Sequence, residues 1–298
     1  PDGGYTVLPE IEQIIDQTVL QISPMRGQAT VMQIGTAEYK KLVNVHGTSS
    51  GWVGEQDSRP QTAGSQLKQL DFPVMEMYAM PAASQSLLDD SFIDIGAWLA
   101  GEVQLEFARN EGNAFIAGNG VMKPRGFIGG YPAVADASYA WGKIGYIATG
   151  ASGAFKTGDS PPIPADCLIQ IYHALLTAYR VNCSWLANRN TMGTIRTLKD
   201  AYGQYLMQPV LNQSQGFIEQ VLGRPMVEMP DMPDIAANSY SVALGDWKRA
   251  YLIVDRVGIR VLRDPFTSKP FVLFYTTKRV GGGVQNYEAL KLLKFAAS

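Results

Sequence analysis

The chain has 298 residues, 46% of them hydrophobic and 10% aromatic, enough for a sizeable core in one large domain or two modest ones. A formal net charge of −2 with 17% charged residues excludes a domain that holds nucleic acid by bulk positive charge and leaves only local or weak contacts of that kind. Cys167 and Cys183 are too few for a disulfide framework or a cysteine zinc cluster and read as buried thiols.

No apolar run approaches the roughly 20 residues needed to span a bilayer, and no basic segment followed by an apolar core marks a signal peptide, so no membrane partner is expected. The sequence opens at Pro1 without a methionine, which suggests that an upstream piece was either removed in the cell or left out of the expressed chain. Ile11, Ile14, Ile15, Val19 and Leu20 have helix-like spacing before Pro24, giving a short arm helix or a floppy arm. Two extended runs follow, Thr30 to Val45 and Leu67 to Met80. Between them, His46 to Gln66 is rich in Gly, Ser, Thr and Gln and cannot build a core of its own. A loop longer than about 15 residues is usually functional or disordered, so this tip is expected to have a partner.

The clearest helix comes next. Asp89, Asp90 and Ser91 supply capping oxygens, Ser91 and Asp94 have capping-box spacing, and Phe92, Ile95, Leu99, Val103, Phe107 and Ala114 fall near one stripe. Gly118-Asn119-Gly120 stops it. About 27 residues at 1.5 Å rise make a rod of roughly 40 Å, suited to the backbone of a large flat subunit. After Lys123-Pro124-Arg125-Gly126-Phe127 the chain becomes loop-rich through Ala148 to Gly158 and Pro161, Pro162 and Pro164, and a second lobe begins here. Ala165 to Arg180 is helical by spacing, Ser184 to Ala187 is a short strand, and Thr191 to Leu198 is a helix capped by Asn190, an alternation that suggests α+β or α/β. Pro225, Pro230 and Pro233 bracket a rigid connector from Met226 to Met232. Tyr251 to Val254, Ile259 to Leu262 and Phe271 to Lys278 are strands, rich in branched and aromatic residues.

Catalytic signals are weak. Gly47-Thr48-Ser49-Ser50-Gly51 matches the nucleophile-elbow pattern after a strand, yet Trp52-Val53-Gly54 to Pro60 is a poor start for the helix that an elbow needs. His173 is the one candidate base, at a helical position among apolar neighbours. With His46 it completes the histidine count, which precludes a multi-histidine metal site. There is no phosphate-binding Walker loop, and Gly118-Asn119-Gly120 closes a helix instead of opening one. Asp231 with Asp234, and Asp89 with Asp90, read as turn and cap residues sooner than as paired catalytic carboxylates. Trp98 and Trp247 read as buried or interface aromatics sooner than as ligand platforms. No cofactor, metal or catalytic residue is expected. Arg249, Arg256, Arg260, Arg263, Lys278 and Arg279 cluster along the last strands as interface ion pairs, weak DNA-facing charges or a solvated face, interface contact being favoured.

Three blocks, in order, resemble the tailed-phage major capsid proteins with the HK97-type fold. They are Gly3-Gly4-Tyr5-Thr6-Val7-Leu8-Pro9-Glu10, the hairpin and long helix through Gly120 and Pro124 to Phe127, and Gly245-Asp246-Trp247-Lys248-Arg249-Ala250-Tyr251 through Val257 to Pro265 and on to Lys278-Arg279-Val280-Gly281-Gly282-Gly283. The resemblance implies an α+β fold with an N-terminal arm (1–32), an E-loop hairpin and its base (33–80), a P domain with the spine helix (81–123), an A domain (124–246), P-domain strands (247–280) and a return to the A domain (281–298). It implies a proteolytically processed structural subunit that assembles into pentamers and hexamers of an icosahedral-type shell around double-stranded DNA. The implied partners are other copies, a portal protein, a maturation protease and DNA held by weak non-specific contact. The implied location is the virion capsid, after assembly in the host bacterial cytoplasm. An encapsulin-like nanocompartment shell is the alternative, and a serine hydrolase using Ser49 the enzymatic one. Inter-subunit candidates are His46, Trp52, Glu55, Asp57, Arg59 and Lys68 with the six C-terminal cations. Some relatives weld the shell through a lysine–asparagine isopeptide bond. Lys68 stands near the first position but Pro270 near the second, so no such bond is expected.

Overall fold

The structure, a computed structural model, describes residues 23–47, 49–54, 58–59, 61–62, 64–91, 94–156, 164–199, 204–205, 210–212, 216–218 and 220–297. The expected arm helix lies outside them. The described chain starts with a short helix α1 (Met25–Gln28) that delivers β1 (Thr30–Ile34). The run expected from Thr30 to Val45 is two strands, because the chain turns at Gly35 to Ala37 before β2 (Glu38–His46) pairs with β3 (Gln66–Pro73). The second run is likewise split at Val74, whose amide donates to the Ala37 carbonyl at 3.1 Å, and continues as β4 (Met75–Ala79). One long-range bond thus clips both bends together and separates the β2–β3 ribbon from the sheet beneath it.

After β5 (Ala82–Ser84) come α2 (Gln85–Asp90) and α3 (Ile95–Ala117). The expected start of the long helix is corrected here. Asp94 is its cap, accepting from the Ala97 amide at 3.0 Å, while Ser91 closes α2 and Asp90 ends it. The 23 residues of α3 span about 34 Å. Val103, Phe107, Phe115 and Ile116 are its buried apolar face. The helix stops at Gly118 as expected, and the returning chain then covers its open end: Phe127 and Ile128 amides donate to the Phe115 and Ile116 carbonyls at 3.2 and 2.9 Å, satisfying groups that a helix terminus leaves free. Gly126 permits this approach, since a Cβ there would stand 2.4 Å from the Ile116 carbonyl oxygen.

The second lobe contains β6 (Ala133–Ala135), β7 (Ile144–Ala148), α4 (Asp166–Ala174), α5 (Thr177–Arg180), β8 (Ser184–Ala187), α6 (Arg189–Arg196), β9 (Val210–Asn212), β10 (Gly216–Ile218), β11 (Gln220–Val221), β12 (Arg224–Glu228) and β13 (Tyr240–Gly245). The single helix expected from Ala165 to Arg180 is two, parted where Leu175 turns extended and is buried. The cap of α6 is Asn188, which accepts from the Thr191 amide at 2.8 Å; Asn190 instead donates to Asp234 at 3.0 Å. The expected Met-rich connector begins as a strand, with β12 lying parallel to β8 and Met226, Met229 and Met232 buried.

Helix α7 (Trp247–Ala250), capped by Asp246, leads into β14 (Tyr251–Asp264) and β15 (Phe271–Val284), and β16 (Leu290–Lys294) returns to the second lobe. Among the described residues one sheet runs β1-β14-β15-β4, with β5 also on β15, and the other runs β11-β12-β8-β13-β16-β7-β6. The two expected strands within β14 are one, interrupted by a register shift between Arg256 and Arg260. The sheets meet in a core of Phe115, Phe127, Trp247, Tyr251, Leu290 and Leu292, where Phe127 and Trp247 rings lie 4.9 Å apart. A second cluster, including Leu168, Ile171, Trp185, Ile195 and Phe295, packs α4 and α6 against the other sheet face.

Candidate inter-subunit surface

The β2–β3 ribbon hydrogen-bonds to no other described strand. Its base is anchored: Phe72 is buried with Leu252 and Val254, Tyr39 packs against Phe72 at 6.2 Å, and the Lys41 ammonium donates to Gln285 Oε1 at 2.7 Å. Beyond the base nothing among the described residues covers it. Leu42 and Leu67 are exposed on paired strands, and Trp52 and Val53 are exposed in the loop. An isolated two-stranded hairpin is marginally stable in water, so this one calls for a stabilising surface that the described residues do not supply.

The outer half of the β14–β15 ribbon is the second uncovered region. Strand β1 pairs with β14 only up to Arg256, and the later residues of that edge pair with no other strand among the described residues. Val257, Ile259, Val261, Leu262, Phe266 and Phe271 are all exposed there. Such edges and apolar faces are normally paired or protected. At the far end of α3, Val121 and Met122 add a third exposed apolar spot, beside a groove of about 330 Å³ lined by Met75, Met77 and Tyr78.

The candidate residues divide among these regions. His46 ends β2 opposite Gln66, Lys68 is exposed opposite Val43, and Trp52 and Arg59 are exposed in the loop. Glu55, Asp57 and the side chain of His46 lie outside the described residues. The six C-terminal cations form no single row. Lys278 stands 2.5 Å from Glu111, Arg279 2.5 Å from Glu76, and Arg249 3.7 Å from Asp246. Arg256, Arg260 and Arg263 have no carboxylate partner among the described residues.

The structure adds a charge cluster that sequence reasoning missed. Glu111, 2% exposed on the buried face of α3, receives the Arg26 guanidinium at 2.7 Å and the Lys278 ammonium at 2.5 Å. The ammonium approaches Glu111 Oε1 outside hydrogen-bond geometry, so that contact is charge on charge. Arg26 also grips Asp255 through two bonds of 2.8 and 2.9 Å. Burial opposes its charge, but the hydrogen bonds and negative charges of Asp255 and Glu111 outweigh this and raise its pKa. The cluster staples α1, the long helix and both long strands together. A carboxylate on the stripe Val103, Phe107, Glu111 was the available signal.

The remaining candidates have structural roles. Described residues 49–54, after β2, contain no helix, so Ser49 is not on an elbow. His173 is exposed, 3.4 Å from an Arg180 nitrogen, which corrects the expected apolar setting. Asp234 accepts from Asn190 and Asn188, and these bonds lower its pKa; burial raises that of Asp231. Trp247 donates to the Ser184 carbonyl at 3.0 Å, whereas Trp98 Nε1 has no hydrogen-bond partner among the described residues. Both cysteines are buried and unpaired, and burial pushes the Cys167 thiol up to about 12. No cluster of potential metal ligands occurs among the described residues.

The phage capsid family matches residues 3–295. Among solved structures, the capsid of a native GTA particle, computed with C5 symmetry, is similar at 41% identity and a TM-score of 0.89, over 99% of this chain and 97% of that one. The capsid of the empty GTA particle gives 42% identity and 0.88 over the same shares. Gordonia phage Cozz shares the fold, at 16% identity and 0.65 over 98% of this chain and 92% of its own. No curated protein matches.

Proposed function

We propose, from the premise that this chain belongs to the phage capsid family, how its uncovered surfaces are used. The fold is α+β of the HK97 type, and the protein is a structural subunit of a protein shell, not an enzyme. The finer reading is that copies join into rings of five and six that close around double-stranded DNA. The observation that carries it is the β2–β3 ribbon, which has exposed apolar side chains on both strands and pairs with no other strand among the described residues.

In this reading residues 33–80 are the E-loop and its base, and the ribbon lies over a neighbouring copy that supplies the missing contacts. The sheet built on β14 and β15, with α3, is the P domain, and the sheet containing β8, β13 and β16 is the A domain. Heterologous contacts of this kind close into rings, and many weak ones add up to a durable particle. Trp52, Arg59, Lys68 and the unpaired arginines are the contact candidates. Contact with packaged DNA is weak and non-specific, in keeping with a net charge of −2. A portal protein and a maturation protease are the expected further partners, and assembly takes place in the host bacterial cytoplasm. No isopeptide weld forms, since Pro270 offers no side-chain amide, and shells boiled in detergent are expected to release subunit-sized bands without ladders.

The test is negative-stain electron microscopy with sedimentation velocity on the purified protein and on a variant in which residues 47–65 are replaced by Asn-Gly. Wild type is expected to form closed shells or five- and six-membered rings. The shortened variant should keep its melting temperature but sediment as a monomer. A wild type that stays monomeric under assembly conditions refutes the shell. A shortened variant that assembles like wild type refutes the role given to the ribbon.

A further inference from the structure

Three unfavourable features coincide at one place on β14. Val257, a β-branched residue, holds φ at 55°, a region such residues rarely enter. The register shift puts three β14 residues, 257–259, opposite Lys278 alone, and this bulge opens a cleft of about 170 Å³. Arg256 stands directly across from Arg279, a like-charge pair that weakens a ladder. Strain and like charge at one site point to use by a ligand or partner, because the fold alone gains nothing from them.

The cleft is lined by Glu76, Arg256, Arg260, Tyr275, Lys278 and Arg279 with the bulge backbone. Two of its four cations are already neutralised, Arg279 by Glu76 and Lys278 by Glu111. Arg256 and Arg260 are left, both lining a space the size of a small side chain, and neither is paired with a carboxylate among the described residues.

We propose that the cleft at the β14 bulge receives an aspartate or glutamate side chain from a second copy of this chain. The inference rests on the shell reading and goes beyond it by assigning this receptor. Charge complementarity selects the occupant. The chain carries 27 acidic residues against 25 Lys and Arg, and carboxylates such as Glu102 and Glu228 have no cationic partner among the described residues. A planar guanidinium pair matches a carboxylate's two oxygens. An extended phosphate backbone is disfavoured because it needs a continuous cationic track, and Asp264 lies farther along the strand and interrupts one, whereas a single carboxylate needs only the two arginines.

The test compares wild type with the Arg256→Gln/Arg260→Gln variant in sedimentation velocity over a range of protein and salt concentrations. The concentration for half-assembly should rise at least tenfold in the variant, with much of the wild-type salt dependence lost and the subunit melting temperature unchanged. Phenylglyoxal labelling of the wild-type protein supplies a readout that does not depend on a variant folding. Arg256 and Arg260 should react in dissociated subunits and be protected in shells. Equal labelling in both states overturns the proposal, as does a variant that assembles at wild-type concentrations. A variant that assembles normally but retains less DNA overturns it in favour of a phosphate contact. If wild type forms no particles, the shell reading itself fails. If wild type and variant form them equally, only the receptor does.

Discussion

Replacing Glu111 by alanine is expected to destabilise the unassembled subunit by about 2–4 kcal/mol. Breaking a buried ion pair by removing one partner costs about 3–5 kcal/mol, because it strands the other charge. Two features reduce that figure. Arg26 is 33% exposed and keeps its two bonds to Asp255, so it loses only part of its compensation. Lys278, 18% exposed, loses the one carboxylate that pairs with it among the described residues and carries most of the loss. The assay is urea unfolding of dissociated subunits at neutral pH, read by linear extrapolation with the slope unchanged. Repeating the substitution in a Lys278→Met background should shrink the cost, since the stranded cation is gone, and the difference gives the coupling between the two residues. A loss below about 1 kcal/mol, or an equal loss in both backgrounds, would refute the view that this cluster fixes α1 and the long helix to the sheet.

Gly281→Ala should cost about 1–3 kcal/mol, because a Cβ would stand 2.4 Å from the Pro73 carbonyl oxygen and must push the base of the hairpin away. A melting temperature equal to wild type would show that the hairpin base yields freely. Asp231→Asn should stabilise the subunit at neutral pH. Burial raises the folded-state pKa of Asp231, so the folded state binds the proton more tightly and stability falls as pH rises through the window between the unfolded and folded values. The advantage of the variant should vanish below about pH 3.9, the ordinary aspartate value, where both states are protonated. Melting curves across pH check this, and a pH-independent difference would count against it.

Local sequence was enough for several elements, and for a physical reason. Branched and aromatic residues fit a pleated surface, so β14 and β15 were legible as strands, and Gly118-Asn119-Gly120 ended the long helix where the structure ends it. The polar stretch from His46 to Gln66 showed by its composition that it had no core of its own. Where neighbouring positions offered equivalent chemistry, local reasoning chose wrongly: Ser91 and Asp94, or Asn190 and Asn188, are all capping residues, and only packing selects which one sits at a free helix amide. The Met226 to Met232 segment read as a connector because its prolines suggested punctuation, while β8 on one side makes its first part a strand.

By itself, then, the sequence determined element type, the long helix, the self-insufficient hairpin loop and the ordered blocks that resemble capsid subunits. Tertiary structure alone decided the division of the hairpin from the sheet, the burial of Glu111 between Arg26 and Lys278, and which C-terminal cations remain unpaired. Periodicity records which face of an element meets water. The identity of a buried charge's partner depends on where distant segments cross, and no local pattern encodes that crossing.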